Sequence, residues 1–163
     1  MSDLLPLVFA APLTAGAVGT LLRSRRAIQR TLTVAAAAAV LGMGVALLGA
    51  VRDGGVVTND VGAWPDGLAI VLAVDALAAL MLTVAAGATL LALTVAWARG
   101  EDDHPLFHPL VASLLSGVTL AFVTADLFNL FVAFEVMLIA SYVLLALRGG
   151  RDQVRAGVVY VGT

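Results

Sequence analysis

The chain has 163 residues, of which 61% are hydrophobic and only 12% are charged, and its mean hydropathy is +1.05. Soluble domains carry about 25% charged residues, so the composition excludes an ordinary soluble domain and predicts a protein embedded in lipid. The sequence contains no cysteine, which excludes disulfides, thiolate metal sites and iron–sulfur clusters. The net charge of −2 gives no indication of a nucleic-acid partner.

Five apolar stretches are long enough to cross a bilayer, for which a helix needs about 20 residues. They span residues 4–22, 31–51, 68–98, 106–124 and 127–147, and an incomplete sixth covers 154–163. Hydrocarbon offers the backbone no hydrogen-bond partners, so each stretch should be a helix. The sequence therefore predicts an all-α, polytopic helix bundle that forms part of one membrane domain. Arginines follow the first stretch instead of preceding it, which favours a retained membrane helix over a secretory signal.

The third stretch, residues 68–98, is longer than one crossing requires. We expect either a strongly tilted helix or a helix whose first part lies outside the hydrocarbon. The fourth and fifth stretches are separated only by residues 124–126, which must form a tight turn. These two stretches should therefore form an antiparallel helical hairpin.

The distribution of arginine predicts the orientation in the membrane. Arginines crowd the loops after the first and fifth stretches: Arg23, Arg25, Arg26 and Arg30, then Arg148, Arg151 and Arg155. Both loops follow an odd-numbered stretch, so the positive-inside rule places them in the cytoplasm and the N-terminus outside. The acidic loop at 99–105 is predicted on the same side, because acidic residues contribute little to that rule.

Glycines in the first two stretches are candidates for close helix contacts. Small residues let the backbones of membrane helices approach one another. Ordinary tolerance of glycine in membrane helices explains any single position equally well. The residues concerned are Gly16, Gly19, Gly42, Gly44 and Gly49.

Glu135 is the strongest candidate for a functional residue, because it is the only charged residue between 127 and 147. A carboxylate at the centre of a membrane helix costs on the order of 3 kcal/mol or more. A helix that served only as an anchor would gain by losing it. Glu135 is therefore predicted to face protein or water and to carry a proton; the alternative is a protonated glutamate that only holds helices together. Tyr142 lies seven residues later, close to the same helix face.

Three further polar residues are secondary candidates. Asp75 interrupts the third stretch and is a possible proton or charge relay if it is buried, or an interfacial residue if the crossing begins near Ala79. Asp126 precedes the fifth helix, where capping of free N–H groups is the favoured role. Asn129 could line a hydrated path, or bond to a neighbouring helix or carbonyl.

His104 and His108 lie beside Glu101, Asp102 and Asp103, a combination that raises the possibility of a metal site. Pro105 directly after His104 disfavours helical geometry there, so surface histidines at the membrane edge are the preferred interpretation. Patterns for dinucleotide, phosphate or haem binding and for a serine nucleophile are missing. No cofactor or metal is predicted.

Residues 122–145, FVTADLFNLFVAFEVMLIASYVLL, resemble the signature hairpin of the D-type subunit of Mrp multisubunit Na⁺/H⁺ antiporters. They are similar, more distantly, to the antiporter-like proton-pumping subunits of respiratory complex I. Residues 64–81 resemble the third-helix segment of the same family, in which an aspartate follows a short apolar run.

The resemblance implies a transporter subunit, not an enzyme, in the cytoplasmic membrane. Family members have about fourteen helices, so the chain would correspond to an N-terminal portion that does not transport alone. Glu135 takes the position of the family's essential glutamate, which pairs with a lysine on a later helix; this chain contains no lysine. The implied partners are other membrane subunits, lipid, protons and monovalent cations.

Two other functions remain open from the sequence. The chain could be a proton-pumping subunit of a respiratory or formate hydrogenlyase-type complex, driven by redox chemistry elsewhere. It could also be a structural membrane scaffold in which Glu135 only holds helices together.

Overall fold

The computed structural model describes residues 2–61 and 70–147. Five α-helices and one two-stranded sheet follow a short 3-10 turn at Ser2–Leu4. In chain order the elements are α1 (Leu7–Leu21), α2 (Arg26–Ala50), β1 (Val57–Val61), β2 (Ile70–Val74), α3 (Ala76–Ala98), α4 (Phe107–Val123) and α5 (Leu127–Ala146).

The predicted multi-pass helical architecture is confirmed in its main features. Within the described ranges, four segments are long and apolar enough to cross a membrane, namely Ser2–Leu21, α2, α3 and α5. The helix α4 has 17 residues and falls short of that length. The predicted sixth stretch and the arginines after residue 147 lie outside the described residues.

The prediction of one continuous helix over 68–98 is wrong, and so is a purely α-helical fold. Residues Ile70–Val74 form β2, which pairs antiparallel with β1 in the register Val57↔Val74 to Val61↔Ile70. The segment Ile-Val-Leu-Ala-Val is rich in β-branched residues, which favour strands. Apolar character alone does not distinguish a short buried strand from a helix. The helix α3 begins only after Asp75.

The helix α4 is the centre of the bundle, with α1, α2, α3 and α5 packed around it. Its small residues permit this crowding. A Cβ at Gly117 would lie 2.7 Å from Met137 Cγ and 2.9 Å from the carbonyl oxygen of Ala133, both on α5. The three-residue turn and this close contact confirm the predicted antiparallel hairpin of α4 and α5.

The glycines of α1 and α2 divide into two groups. A Cβ at Gly16 would lie 2.7 Å from Ser113 Oγ on α4, and one at Gly44 would lie 2.7 Å from Thr83 Oγ1 on α3. Gly19 approaches Pro109 in the same way. Gly42 and Gly49 have no atom of the described residues within 4 Å of a virtual Cβ, so those residues show no close contact for these two and fit the alternative of ordinary tolerance.

The bundle has two distinct ends. The hairpin end contains the β1–β2 sheet and the α4–α5 turn, which are joined by a bridge between Leu72 and Thr124 and by a hydrogen bond from Ala125 N to Val71 O. The arginine end contains the α1–α2 and α3–α4 loops, which are joined by ion pairs from Arg26 and Arg30.

Candidate functional site

Glu135 lies near the middle of α5, on a face that the rest of the described structure leaves uncovered. The helix α5 packs mainly on α4, and only Ala133 and Ala140 are buried along its length. The side chain of Glu135 is exposed, and residues 2–61 and 70–147 include no hydrogen bond or ion pair to it. Exposed apolar side chains lie before and after Glu135 on the same helix, namely Phe128, Phe131, Phe134, Leu138 and Ile139.

Asp126 caps the N-terminus of α5, as its position predicted. Its Oδ1 accepts a hydrogen bond of 2.7 Å from Phe128 N. Thr124 stabilises the same turn, because its Oγ1 accepts from Asp126 N at 3.2 Å and from Asn129 Nδ2 at 3.1 Å. Asn129 is thus part of the turn that positions α5. Asp126 lies nine residues before Glu135, about 13 Å along the axis, so the two acids do not form a pair.

Asp75 has the same role at the start of α3. Its side chain is exposed, and its Oδ1 accepts a hydrogen bond of 2.7 Å from Ala78 N. A carboxylate at this position satisfies a free N–H group and interacts favourably with the helix dipole. The structure places Asp75 at the start of α3, at the hairpin end.

Tyr142 lies two turns after Glu135 on α5 and is half-buried. Its phenol forms at least one interaction within the structure. The hairpin therefore places these four residues along one helix, with the Asp126 cap and Asn129 at its start, Glu135 near its middle and Tyr142 towards its end.

A buried charged cluster at the arginine end was not predicted. Asp102 is 1% exposed at its side chain and accepts from Arg30 twice, at 2.6 Å from Nε to Oδ2 and at 2.9 Å from Nη2 to Oδ1. His108 Nε2 lies 3.1 Å from the same Oδ2. The Arg30 guanidinium also lies 5.0 Å from the centre of the Trp97 ring. We refer to Arg30, Asp102 and His108 as the arginine-end cluster.

The electrostatics of the cluster favour an ionised Asp102. The hydrogen bonds from the Arg30 guanidinium hold the pKa of the Asp102 carboxyl below its ordinary value; burial works against them, and His108 adds to the lowering. A second pair, from Arg26 Nη1 to Asp103 Oδ1 at 2.7 Å, lies outside the cluster and is exposed. These pairs give the acidic loop a physical reason to lie beside the arginines.

The interpretation of both histidines as surface residues is correct for His104 and wrong for His108. His104 is exposed, and its Nδ1 accepts from Leu106 N at 3.2 Å. His108 is 4% exposed, because the first turn of α4 packs against α2, and Thr33 Oγ1 donates to its carbonyl oxygen. Among the described residues, no group of three His, Cys, Asp or Glu side chains could hold a metal ion.

One signal in the sequence could have found the cluster. The topology predicted from the sequence places the α1–α2 and α3–α4 loops on the same side of the membrane. The α1–α2 region is rich in arginine and the α3–α4 loop is rich in acidic residues, so ion pairs between the two could be expected at this end of the bundle. The partners Arg30 and Asp102 are 72 residues apart, and no local spacing identifies them.

Sequence comparison finds relatives along nearly the whole chain. Over 163 residues, 99% of the chain, it is 35% identical to the D-type subunit of the Na⁺/H⁺ antiporter of Alkalihalophilus pseudofirmus, of which it covers 33%. Over 100 residues it is 46% identical to a protein of Rhizobium meliloti described as the "probable" D-type subunit of a K⁺/H⁺ antiporter; this match covers 61% of the chain and 19% of that protein. No family model matches. The chain spans about a third of the length of the first of these relatives and less of the second.

Solved structures give the same result. A chain in the Mrp complex of a Dietzia species superimposes with a TM-score of 0.94 at 36% identity, over 99% of this chain and 31% of that one. A chain of an archaeal respiratory complex, the membrane-bound sulfane sulfur reductase, superimposes with a TM-score of 0.85 at 24% identity, over 97% of this chain and 33% of that one. The second match establishes a shared fold only.

Proposed function

From its confirmed resemblance to the D-type subunit of Mrp antiporters, we propose that the chain is part of a membrane subunit that exchanges a monovalent cation for protons. Glu135 is the proton carrier in this proposal. The observation that carries it is the position of Glu135, midway along a helix long enough to span a membrane and on its uncovered face.

Energetics connect that position to proton transfer. A charged carboxylate facing lipid at this depth would cost several kcal/mol. Each neighbouring leucine or phenylalanine contributes only about 0.3–0.6 kcal/mol to insertion. Because the described residues give Glu135 no partner, the uncovered face of α5 is expected to meet protein or water in the assembled subunit. A carboxyl at such a boundary can bind and release a proton as its surroundings change.

The transported cation is proposed to be Na⁺, by similarity to the Alkalihalophilus protein. The Rhizobium match leaves K⁺ as an outcome of the transport test. The proposed partners are the other membrane subunits of the complex. The chain is placed in the cytoplasmic membrane with its N-terminus outside and the arginine end in the cytoplasm, as the loop arginines predict.

Asp75 has a separate and secondary place in the proposal. Its cap explains why an aspartate stands at that position, and a relay role comes in addition to the cap. Asparagine is as good an N-cap as aspartate, so Asp75→Asn removes the charge while keeping α3 in place. A loss of transport in this variant would establish the relay, and unchanged transport would leave Asp75 as a cap alone.

The proposal is tested by Glu135→Gln in the complete antiporter complex. Glutamine keeps the size of the side chain and most of its hydrogen bonding, but it cannot release a proton at neutral pH. Everted membrane vesicles are energised to accumulate protons, and the collapse of the pH gradient on addition of Na⁺ or K⁺ is followed with a fluorescent dye. We expect the exchange rate to fall by about 100-fold or more, the contribution typical of a positioned proton-transfer group.

Ile139→Gln is the matched control, because Ile139 is also exposed on α5 one turn after Glu135. It introduces the same amide without removing the carboxylate, so we expect exchange to continue. Equal exchange in the wild type and Glu135→Gln would refute the proton-carrier role and leave a scaffold.

The runner-up is a proton-pumping subunit of a redox-driven complex. It is supported only by the fold shared with the archaeal respiratory complex, whereas the antiporter relatives match in sequence. Cation-dependent exchange in vesicles without an added electron donor distinguishes the two. A requirement for electron transfer would favour the runner-up.

A further inference from the structure

The arginine-end cluster contains one carboxylate and two basic side chains. Asp102 Oδ2 lies 2.6 Å from Arg30 Nε and 3.1 Å from His108 Nε2. The planar guanidinium of Arg30 forms two hydrogen bonds to the Asp102 carboxylate. These two bonds fix the orientation of the carboxylate. His108 donates through Nε2 to an acceptor that is already shared.

Two buried side-chain atoms near the contact of α2 with the start of α4 have no partner within the described residues. They are His108 Nδ1 and Gln29 Oε1. The amide of Gln29 is held by hydrogen bonds from Nε2 to Gly19 O at 2.7 Å and to Pro105 O at 2.9 Å. With Nε2 donating to Asp102, Nδ1 of a neutral imidazole can only accept. Both orphaned atoms are therefore acceptors, and each lies at the packed contact between α2 and the start of α4.

Within the arginine-end cluster, one carboxylate and one guanidinium balance each other while the His108 ring is neutral. Arg30 comes from α2 and Asp102 from the α3–α4 loop, whereas α1 has no charged residue along its length. The helix α3 contributes Trp97 beneath the guanidinium. A proton on Nδ1 would place two cations on one buried carboxylate and leave the cluster with a net positive charge. Burying a charge that has no counter-charge of its own is costly.

We propose that His108 is a proton-responsive switch that controls the contact between α2 and the α3–α4 loop. When the ring is neutral, the arginine-end cluster is closed. Protonation of Nδ1 favours an open arrangement in which the imidazolium reaches water, and the α3–α4 loop and the first turn of α4 separate from α2. The switch is independent of Glu135, and its test requires no transport.

The test measures whether a cysteine placed beside His108 becomes accessible as the pH falls. Thr33 is 1% exposed and bonds to the His108 carbonyl, so Thr33→Cys reports opening of the contact. Ser24→Cys, in the exposed α1–α2 loop, provides the reference rate at each pH. The chain has no cysteine of its own. N-ethylmaleimide crosses membranes, so the assay on the assembled complex does not depend on orientation.

We expect the ratio of the Thr33→Cys rate to the Ser24→Cys rate to be flat from about pH 8 to pH 7, because an exposed imidazole has an ordinary pKa of about 6.5. Below that range the ratio should rise, by at most about tenfold per pH unit for one proton. The rise should disappear in His108→Gln, which can still donate to Asp102. It should persist in His104→Gln, which replaces the other histidine of the chain.

A ratio that stays flat below that range in the otherwise wild-type protein would overturn the proposal, whatever the folding of His108→Gln. So would a rise that survives His108→Gln or vanishes in His104→Gln. A ratio that falls on acidification would show that the proton closes the contact, with Gln29 Oε1 as its acceptor, and would also contradict the proposal. Asp102→Asn is expected to give a high ratio at every pH, because the carboxylate that closes the cluster is gone.

Discussion

The carboxylate at the arginine end and the carboxylate on the outer face of α5 lie in opposite environments. At the arginine end, Asp102 is buried and bonded to both Arg30 and His108. On α5, Glu135 is exposed among apolar side chains, and the described residues give it no hydrogen bond or ion pair. The first carboxylate is fixed by its partners, so it can hold loops together. The second has no fixed partner here, which is the condition that a proton carrier requires.

The same contrast applies to the two helices of the hairpin. The helix α4 is surrounded by other helices and buries His108, Ser116 and Thr119, each with a hydrogen-bond partner. The helix α5 buries two alanines and exposes most of its large side chains. The packing contacts of the bundle are therefore concentrated on α4, whereas the proposed proton carrier lies on α5. Substitutions can separate these two roles.

The largest effect on stability is expected from Asp102→Ala. Removing this carboxylate leaves Arg30 without its bidentate acceptor and His108 without its only described side-chain partner. Breaking a buried pair by removing one member typically costs on the order of 3 kcal/mol. Titration of the purified protein with SDS in mixed micelles, followed by circular dichroism, measures the free energy of unfolding.

Asp103→Ala is the control for this comparison, since Asp103 is the adjacent residue and its pair with Arg26 is exposed. Exposed pairs contribute at most about 1 kcal/mol. If the two variants lost equal stability, burial would not be what makes the arginine-end cluster important.

A smaller loss is expected from Gly117→Ala, at the contact of α4 with α5. The added methyl group would lie 2.9 Å from the Ala133 carbonyl oxygen and 3.0 Å from Met137 N, so the α5 backbone has to move. Overpacking of this kind costs about 1–3 kcal/mol. The same SDS titration measures it.

Gly87→Ala in α3 tests whether crowding is the cause. Gly87 has no atom within 4 Å of its virtual Cβ, and alanine is about 1 kcal/mol more favourable than glycine within a helix. Unchanged or increased stability is expected. Destabilisation equal to that of Gly117→Ala would show that the effect is not specific to the α4–α5 contact.

A still smaller effect is expected at the start of α3. Asp75→Ala removes the acceptor for Ala78 N and should lower the free energy of unfolding by about 1 kcal/mol. Asp75→Asn should retain nearly all of it, because asparagine caps equally well. Equal losses in both variants, measured by the same titration, would show that charge and not the hydrogen bond matters there.

The pH dependence of Asp102 should be the smallest effect near neutrality. Its pKa is lowered in the folded protein, so the folded state binds this proton more weakly than the unfolded state, whose pKa is about 3.9. The stabilisation is complete above about pH 5 and is lost as the pH falls through the folded pKa.

The measurement compares Asp102→Asn with its parent in a His108→Gln background, which removes the titration of the histidine. The difference in free energy of unfolding should be constant from about pH 8 to pH 5 and should shrink only in stronger acid. A difference that declined near pH 7 would contradict the lowered pKa.

The sequence predicted those parts of the molecule that local physics determines. The bounds of α5, the tight turn before it and the cap at Asp126 all follow from an apolar run preceded by an aspartate. The β1–β2 sheet was missed because a five-residue apolar strand next to a long apolar helix reads as one continuous stretch. Its pairing depends on a partner strand elsewhere in the chain, which apolar character does not reveal.

The candidate site divides in the same way. Glu135 could be identified from the sequence because one acid in a long apolar run is unusual whatever surrounds it. The arginine-end cluster could not be identified in this way, because Arg30 and Asp102 come together only when two loops meet. His108 looked like a surface residue because its burial depends on the packing of α2 against α4.

The central claim is that Glu135 changes its protonation during turnover. Infrared difference spectroscopy of the assembled complex tests it directly, since the carbonyl stretch of a protonated carboxyl group is lost when the proton leaves. Spectra with and without an imposed Na⁺ gradient should contain such a band in the wild type and in Ile139→Gln, and the band should be missing in Glu135→Gln. Identical difference spectra in the wild type and Glu135→Gln would contradict the account.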